Sequence, residues 1–278
     1  MTHTTNNSFH DLLRIRSMPD LLLLHGLTYD HRTWEPLRDE LGPACRVLAV
    51  DLPGHGTSPR RPSYAMTEVA DIIHEQVVAA GLTKPVVVGH SVGAIIATTY
   101  AARFPATAVL NLDQFLRPGT FFATVRAAEP MLRGPEWKQF WNRMLTEMGV
   151  ESLPEPGRRL VETATDPRPD LLLGYWDEIL HRSDAAIDGQ RRQELETIAA
   201  NGIDYHWVTA TEPPEQYLQW LRSIIPEVRV TILPGGHFPH VVHPAAIAGL
   251  IAPGKAHDEV VRKSGSLPAA DHGQAPAR

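Results

Sequence analysis

Val86-Val87-Val88-Gly89-His90-Ser91-Val92-Gly93-Ala94-Ile95-Ile96 joins a short β-branched run to a helical pattern through Gly-His-Ser-Val-Gly. The spacing predicts a strand, a sharp turn and a helix. A Gly-x-Ser-x-Gly turn in this setting is a nucleophile elbow: the serine takes strained dihedrals, and the flanking glycines let strand and helix approach closely. Ser91 is then lifted clear of the backbone at the start of a helix, where free N–H groups favour negative charge.

Upstream, Leu12 to Arg16 and Leu21 to Leu24 read as strands, the second stopping at His25-Gly26-Leu27-Thr28. In open α/β sheets such a loop lies at the carboxyl edge, where ligands bind. Gly26 lets the backbone turn the Leu27 N–H toward Ser91. Trp34, Leu37 and Leu41 have helical spacing, and Arg46 to Asp51 is a strand that runs into Leu52-Pro53-Gly54-His55-Gly56-Thr57-Ser58. His55, between two glycines in a turn-rich loop, reads as structural. Val69, Ile72, Ile73, Gln76, Val77 and Ala80 trace one helical face that ends at Gly81.

Downstream, Ala108 to Asp113 is a strand ending on a carboxylate. From Gln114 to Gly202 β-branched runs are missing and prolines punctuate helical stretches, with Trp137, Phe140, Trp141, Met144 and Met148 forming one apolar stripe. This reads as a helical cap over residues 114–202, inserted into a core formed by residues 10–113 and 203–252. Tyr205 to Ala210 and Val228 to Leu233 resume the sheet. The last strand runs into Pro234-Gly235-Gly236-His237-Phe238-Pro239-His240, and a short helix follows from Pro244 to Ile251. Residues 253–278, rich in Ala, Gly, Pro and charge, read as a disordered tail.

The alternation of strands and helices implies an α/β fold, a doubly wound and mostly parallel sheet. Its 278 residues, 43% hydrophobic, suffice for one substantial core with an insertion. A net charge of -6 argues against nucleic acid or an anionic membrane as partner. The apolar runs are far too short to span a bilayer. The single cysteine, Cys45, excludes an intrachain disulfide and reads as a buried structural thiol. With no secretory signal visible, a cytoplasmic location is expected. The partner expected is a small-molecule substrate, and an aromatic-rich cap could supply the surface of a homodimer.

Three residues at strand ends, Ser91, Asp113 and His237, have the chemistry of nucleophilic catalysis. Serine needs a base that titrates near neutral pH, and histidine needs a carboxylate to fix its tautomer. The glycines before His237 let its loop reach the elbow, and backbone N–H groups of Leu27 and Val92 would hold a developing oxyanion. His25, His90, Trp137 and Trp141 are the residues expected at the substrate pocket. No metal or organic cofactor is required. His237, His240 and His243 are spaced by threes as in a zinc site, but that spacing aligns them only on a helix, and Pro239 argues against one there.

Taken together, His25-Gly26, Asp51-Leu52-Pro53-Gly54-His55-Gly56, Gly89-His90-Ser91-Val92-Gly93 and Gly236-His237 resemble the α/β-hydrolase superfamily over residues 10 to 252. The resemblance implies a serine hydrolase with Ser91, His237 and an acid. Its common pattern places that acid after the strand before the last one, in a Gly-x-x-Asp turn. This chain has Thr211-Glu212-Pro213-Pro214 there, so Asp113, at the acid position used by some branches, is favoured and Glu212 is the alternative. That placement is also similar to the cofactor-free 2,4-dioxygenases of the same fold, in which a His/Asp pair deprotonates a 3-hydroxy-4-oxoquinoline. Haloalkane dehalogenases are disfavoured because they need aspartate where Ser91 stands. The expectation is cleavage of a small, largely apolar ester or related acyl compound; a cofactor-free dioxygenase and a non-catalytic small-molecule binding protein are the alternatives.

Overall fold

The computed structural model describes residues 19–251. The expected strand over Leu12 to Arg16 and the tail over 253–278 lie outside them. Six strands form the sheet: β1 (Leu21–Leu24), β2 (Val47–Val50), β3 (Val86–His90), β4 (Ala108–Leu112), β5 (Asp204–Thr209) and β6 (Arg229–Ile232). All neighbours pair in parallel, in the order β2-β1-β3-β4-β5-β6. The chain steps outward to β2 and then returns past β1 to β3, which makes the space above β1 and β3 the topological switch point.

Parallel strands covered on both faces read as unbroken apolar runs. The four leucines of β1 are accordingly all fully buried. Their alternation splits the core. Leu22 and Leu24 join Val87, Val109, Tyr205 and Trp207 on one face. Leu21 and Leu23 join Val88, Leu110 and Val208 on the other. The first face is covered by α2 (Met66–Ala79) and α3 (Val92–Arg103), the second by α1 (Glu35–Leu41) and the closing helix Pro244–Ile251. In α2 Val69, Ile73 and Val77 of the stripe read from the sequence are buried, joined by Met66 and Ala70, whereas Ile72 and Gln76 are half-buried and Ala80 is exposed just past the helix end.

Between β4 and β5 the regular structure is all helical: α4 (Thr120–Arg133), α5 (Trp137–Glu147), a 3-10 turn at Val150–Ser152, α6 (Gly157–Thr163), α7 (Pro169–Tyr175), α8 (Asp177–His181) and α9 (Asp184–Ala200). Polar ties fix this segment to the loops at the carboxyl edge. Tyr175 donates its hydroxyl to the Pro53 carbonyl at 2.9 Å, Arg168 reaches the Gly54 carbonyl at 2.7 Å, and the Asp166 amide donates to the Thr28 carbonyl at 2.8 Å. At its far end Arg191 on α9, fully buried, bridges Glu194 and Glu178, and Thr99 of α3 donates to Glu194. No described helix is long and apolar enough to cross a membrane.

One detail of the sequence reading is corrected. Pro239 does not prevent a helix; it begins the short helix Pro239–Val242, where a missing N–H costs nothing. The three histidines still diverge. His237 meets Asp113, His240 is buried against Trp34 and His90, and His243 faces the Pro234 carbonyl.

Candidate active site

Ser91 sits between β3 and α3 with φ at 52°. A Cβ on Gly89 would collide with the Gly93 carbonyl, and one on Gly93 would collide with the Leu24 carbonyl and lie 2.6 Å from that of His25. Close backbone approach therefore demands glycine at both positions, which is the geometry of a tight strand-to-helix turn. Thr28, Ser91 and Asp113 are the non-glycine residues with positive φ among those described. They follow the adjacent strands β1, β3 and β4, so the strain gathers at one point on the sheet's carboxyl edge, as strain at functional sites does.

Asp113 extends the β4 ladder by one bond, donating its amide to the Val208 carbonyl at 2.8 Å. Its Oδ1 accepts from the Ala210 amide at 3.1 Å, and its Oδ2 lies 2.8 Å from His237 Nδ1. A carboxylate only accepts, so Nδ1 carries the proton and Nε2 is left free to take one. The histidine loop is tied down from behind by His90, whose Nε2 donates to the His237 carbonyl at 2.7 Å. Among the described residues no hydrogen bond joins Ser91 to His237, although both face the same cavity.

Two backbone amides beside Ser91 are unspent. The Ser91 amide donates to the Leu112 carbonyl and the Thr28 amide to His55 Nε2. Those of Val92 and Leu27 find no acceptor among the described residues. The loop that carries Leu27 rests on the elbow, since a Cβ on Gly26 would come within 3.4 Å of the Ser91 Cβ. Free N–H groups of this kind, one of them at the start of a helix, are able to receive negative charge.

The cavity above Ser91 and His237 has a volume of about 580 Å³, within the usual range for small-molecule sites. Leu27, Val92 and Ile95 line it from the sheet side, and Trp141, Met144 and Trp176 from the helical segment.

The family model described as "Alpha/beta hydrolase family" matches residues 21–250. This chain belongs to that family. Over 250 residues, 84% of this chain and 91% of the relative, it is 26% identical to a pimeloyl-[acyl-carrier protein] methyl ester esterase of Yersinia enterocolitica. It is 29% identical to a 2-succinyl-6-hydroxy-2,4-cyclohexadiene-1-carboxylate synthase of Salmonella newport over 131 residues, 47% of this chain and 51% of the synthase. A biotin biosynthesis bifunctional protein of Cellvibrio japonicus matches at 38% over 87 residues, 31% of this chain and only 16% of that longer protein. Among solved structures, a variant of AqdC, described as cleaving the ring of the Pseudomonas quinolone signal, superimposes with a TM-score of 0.71 at 20% identity, covering 84% of this chain and 89% of that one. A thermophilic esterase from Thermogutta terrifontis gives 0.67 at 19%, covering 84% and 88%.

In this α/β hydrolase Ser91, Asp113, His237, Leu27, Val92 and Trp141 meet at one cavity. Four other expectations are corrected. His25 is fully buried away from the cavity: its Nδ1 donates to the Gly26 carbonyl, and its Nε2 accepts from the Leu52 amide at 3.0 Å. His90 is buried behind His237 and touches the cavity only through it. Trp137, at the first turn of α5, packs on the helical segment instead of lining the cavity. Glu212 is exposed on the loop after β5 and makes no hydrogen bond to His237. The structural reading of His55 stands: it donates from Nδ1 to the Pro53 carbonyl and accepts from Thr28. Burial keeps His25 and His55 neutral, pushing them down to about 4 and about 3.

Sequence reasoning missed the residues just past Asp113. Phe115, Arg117 and Phe121 all line the cavity. The available signal was position alone, on the loop that leaves the carboxyl end of β4.

Proposed function

We propose that this α/β hydrolase cleaves a small, largely apolar ester or related acyl compound through an acyl-enzyme on Ser91. His237 Nε2 takes the proton of the Ser91 hydroxyl as its oxygen attacks the acyl carbon, while Asp113 holds the imidazole and offsets its charge. The Leu27 and Val92 amides receive the oxyanion. The intermediate collapses as the alcohol leaves with the proton from Nε2. Water, deprotonated by the same nitrogen, then releases the acid and restores Ser91. Helices α4 to α9 act as a cap that walls the cavity. The observation that carries this reading is the single cavity shared by Ser91, held at a strained turn, and by His237, anchored on Asp113. The likeness to a methyl ester esterase along nearly the whole relative supports the ester class. Intact mass after exposure to a small fluorophosphonate tests it. One adduct on wild type and none on Ser91→Ala is the expected result; no adduct on folded wild type would sink the reading.

A second reading has its own support, because the His237–Asp113 pair is complete without a bond to Ser91. Such a pair is able to deprotonate a hydroxyquinolone-like ring for cofactor-free ring cleavage, and oxygen uptake with such substrates tests it. Uptake that persists in Ser91→Ala would move this reading to the front.

A further inference from the structure

Among the described residues the exposed large apolar side chains are Val78, Phe115 and Phe121, and of these Phe115 and Phe121, at 41% and 36%, also line the cavity that holds Ser91 and His237. Side chains that face solvent and cavity together mark its mouth. Arg117, between them in sequence, lines the same cavity with its side chain 39% exposed. Its Nε donates to Asp188 on α9 at 2.6 Å, and its guanidinium carbon lies 5.1 Å from the centre of the Trp220 ring. The side chain is thus fixed from two sides, while its Nη1 and Nη2 have no acceptor among the described residues.

The other charged groups on the cavity wall are committed. Asp113 holds His237, and Glu178 is paired with Arg191 and Arg182. Arg117 is itself paired with Asp188, but through Nε alone, so it is the cation of the described wall whose outer donors are left for a ligand. Its free Nη edge is a planar fork that suits a carboxylate. Asp113, near the serine, repels a second anion, so the two charges together set an orientation: uncharged acyl group inward, negative end at the mouth. The apolar walls between them suit an aliphatic or aromatic spacer.

We infer that Arg117 binds a carboxylate at the end of the substrate remote from its ester, which makes the substrate class the monoester of an apolar dicarboxylic acid. This rests on the ester-cleaving reading of the site. Hydrolysis adds water across the acyl–oxygen bond and leaves a dicarboxylate and an alcohol.

The test pairs mono-p-nitrophenyl esters of dicarboxylic acids, from succinate to suberate, with the neutral p-nitrophenyl alkanoates of matching length. For at least one length wild type should prefer the anionic ester in kcat/KM. That preference should fall about ten- to a hundredfold in Arg117→Gln, the range for a hydrogen bond to a charged group. Asp188→Asn, which keeps an acceptor for Nε, should retain the preference. If Arg117 only clamps the loop to α9, its removal lowers both ester series alike, and the inference falls. Equal turnover of both series by wild type overturns it as well, with the hydrolase reading intact. Binding of monomethyl esters to Ser91→Ala, followed by tryptophan fluorescence, separates the remaining case. Tighter binding of the anionic series without turnover by wild type would retire the hydrolase reading and keep Arg117's role; no binding preference overturns that role.

Discussion

His237 Nδ1 lies 2.8 Å from Oδ2 of Asp113, a residue 124 positions earlier in the chain and one step past the end of β4. The contact fixes the tautomer of the imidazole and leaves Nε2 facing the cavity that contains Ser91. Asp113→Asn removes the acceptor that selects this tautomer, and kcat should drop on the order of a thousandfold or more. Glu212→Gln should change kcat by no more than about twofold, the ordinary effect of an exposed site. Steady-state kinetics on the two variants decides the matter, and a larger loss in Glu212→Gln would overturn the assignment of Asp113.

His90 acts on the site at one remove, by donating to the carbonyl of His237. In His90→Phe the loop loses that tie, and kcat should fall about five- to tenfold, the scale of one net hydrogen bond. His90→Gln, which keeps a side-chain N–H donor, should recover part of the loss with KM little altered. If both variants lower thermal stability and leave kcat per folded molecule intact, His90 is a packing residue only.

The protein should lose stability below neutral pH. Burial pushes His25 and His206 down to about 4, and His55 and His240 to about 3. Unfolded, each binds a proton near its ordinary value of about 6.5. Between these limits the unfolded chain holds more protons, so stability is full above about pH 6.5 and falls as pH drops, with a slope approaching about 1.4 kcal/mol per pH unit for each histidine. Urea midpoints from neutral pH down to about pH 5 measure the slope. Among the described residues neither ring nitrogen of His240 has a hydrogen-bond partner. His240→Phe should therefore flatten the profile, and an unchanged slope would show that His240 does not contribute.

Arg191 lies between Glu178 and Glu194 with its side chain only 1% exposed. Arg191→Met leaves the Glu194 carboxylate buried without a cation and Glu178 with Arg182 alone, and should cost about 3–5 kcal/mol. Adding Glu178→Gln and Glu194→Gln should restore much of it, because the uncompensated charge, not lost packing, is the cause. Chemical denaturation of the single and triple variants checks this; equal losses would point to packing instead.

The sequence by itself determined the strands and helices of the sheet, because apolar periodicity and β-branched runs are local properties, as the four leucines of β1 and the stripe of α2 show. It also placed Ser91, because a Gly-x-Ser-x-Gly turn between strand and helix leaves the serine no other environment. What it left open depended on distances between residues far apart in the chain. Asp113 and Glu212 both follow strands, but only Asp113 continues a ladder beneath the loop of His237, whereas Glu212 has already turned outward into solvent. Trp137 and Trp141 share one face of α5 and are separated by one helical turn, so that Trp141 reaches the cavity when α5 docks and Trp137, in the first turn, does not. His25 and His90 flank the elbow, yet one ring nitrogen of each is taken up by a backbone group of a distant loop, Nε2 of His25 by the Leu52 amide and Nε2 of His90 by the His237 carbonyl. Arg117 carries no local signal, since its direction is set by Asp188 and Trp220. Periodicity records which way a side chain points from its own element; which partner waits there is decided by loop closure and packing across the whole chain.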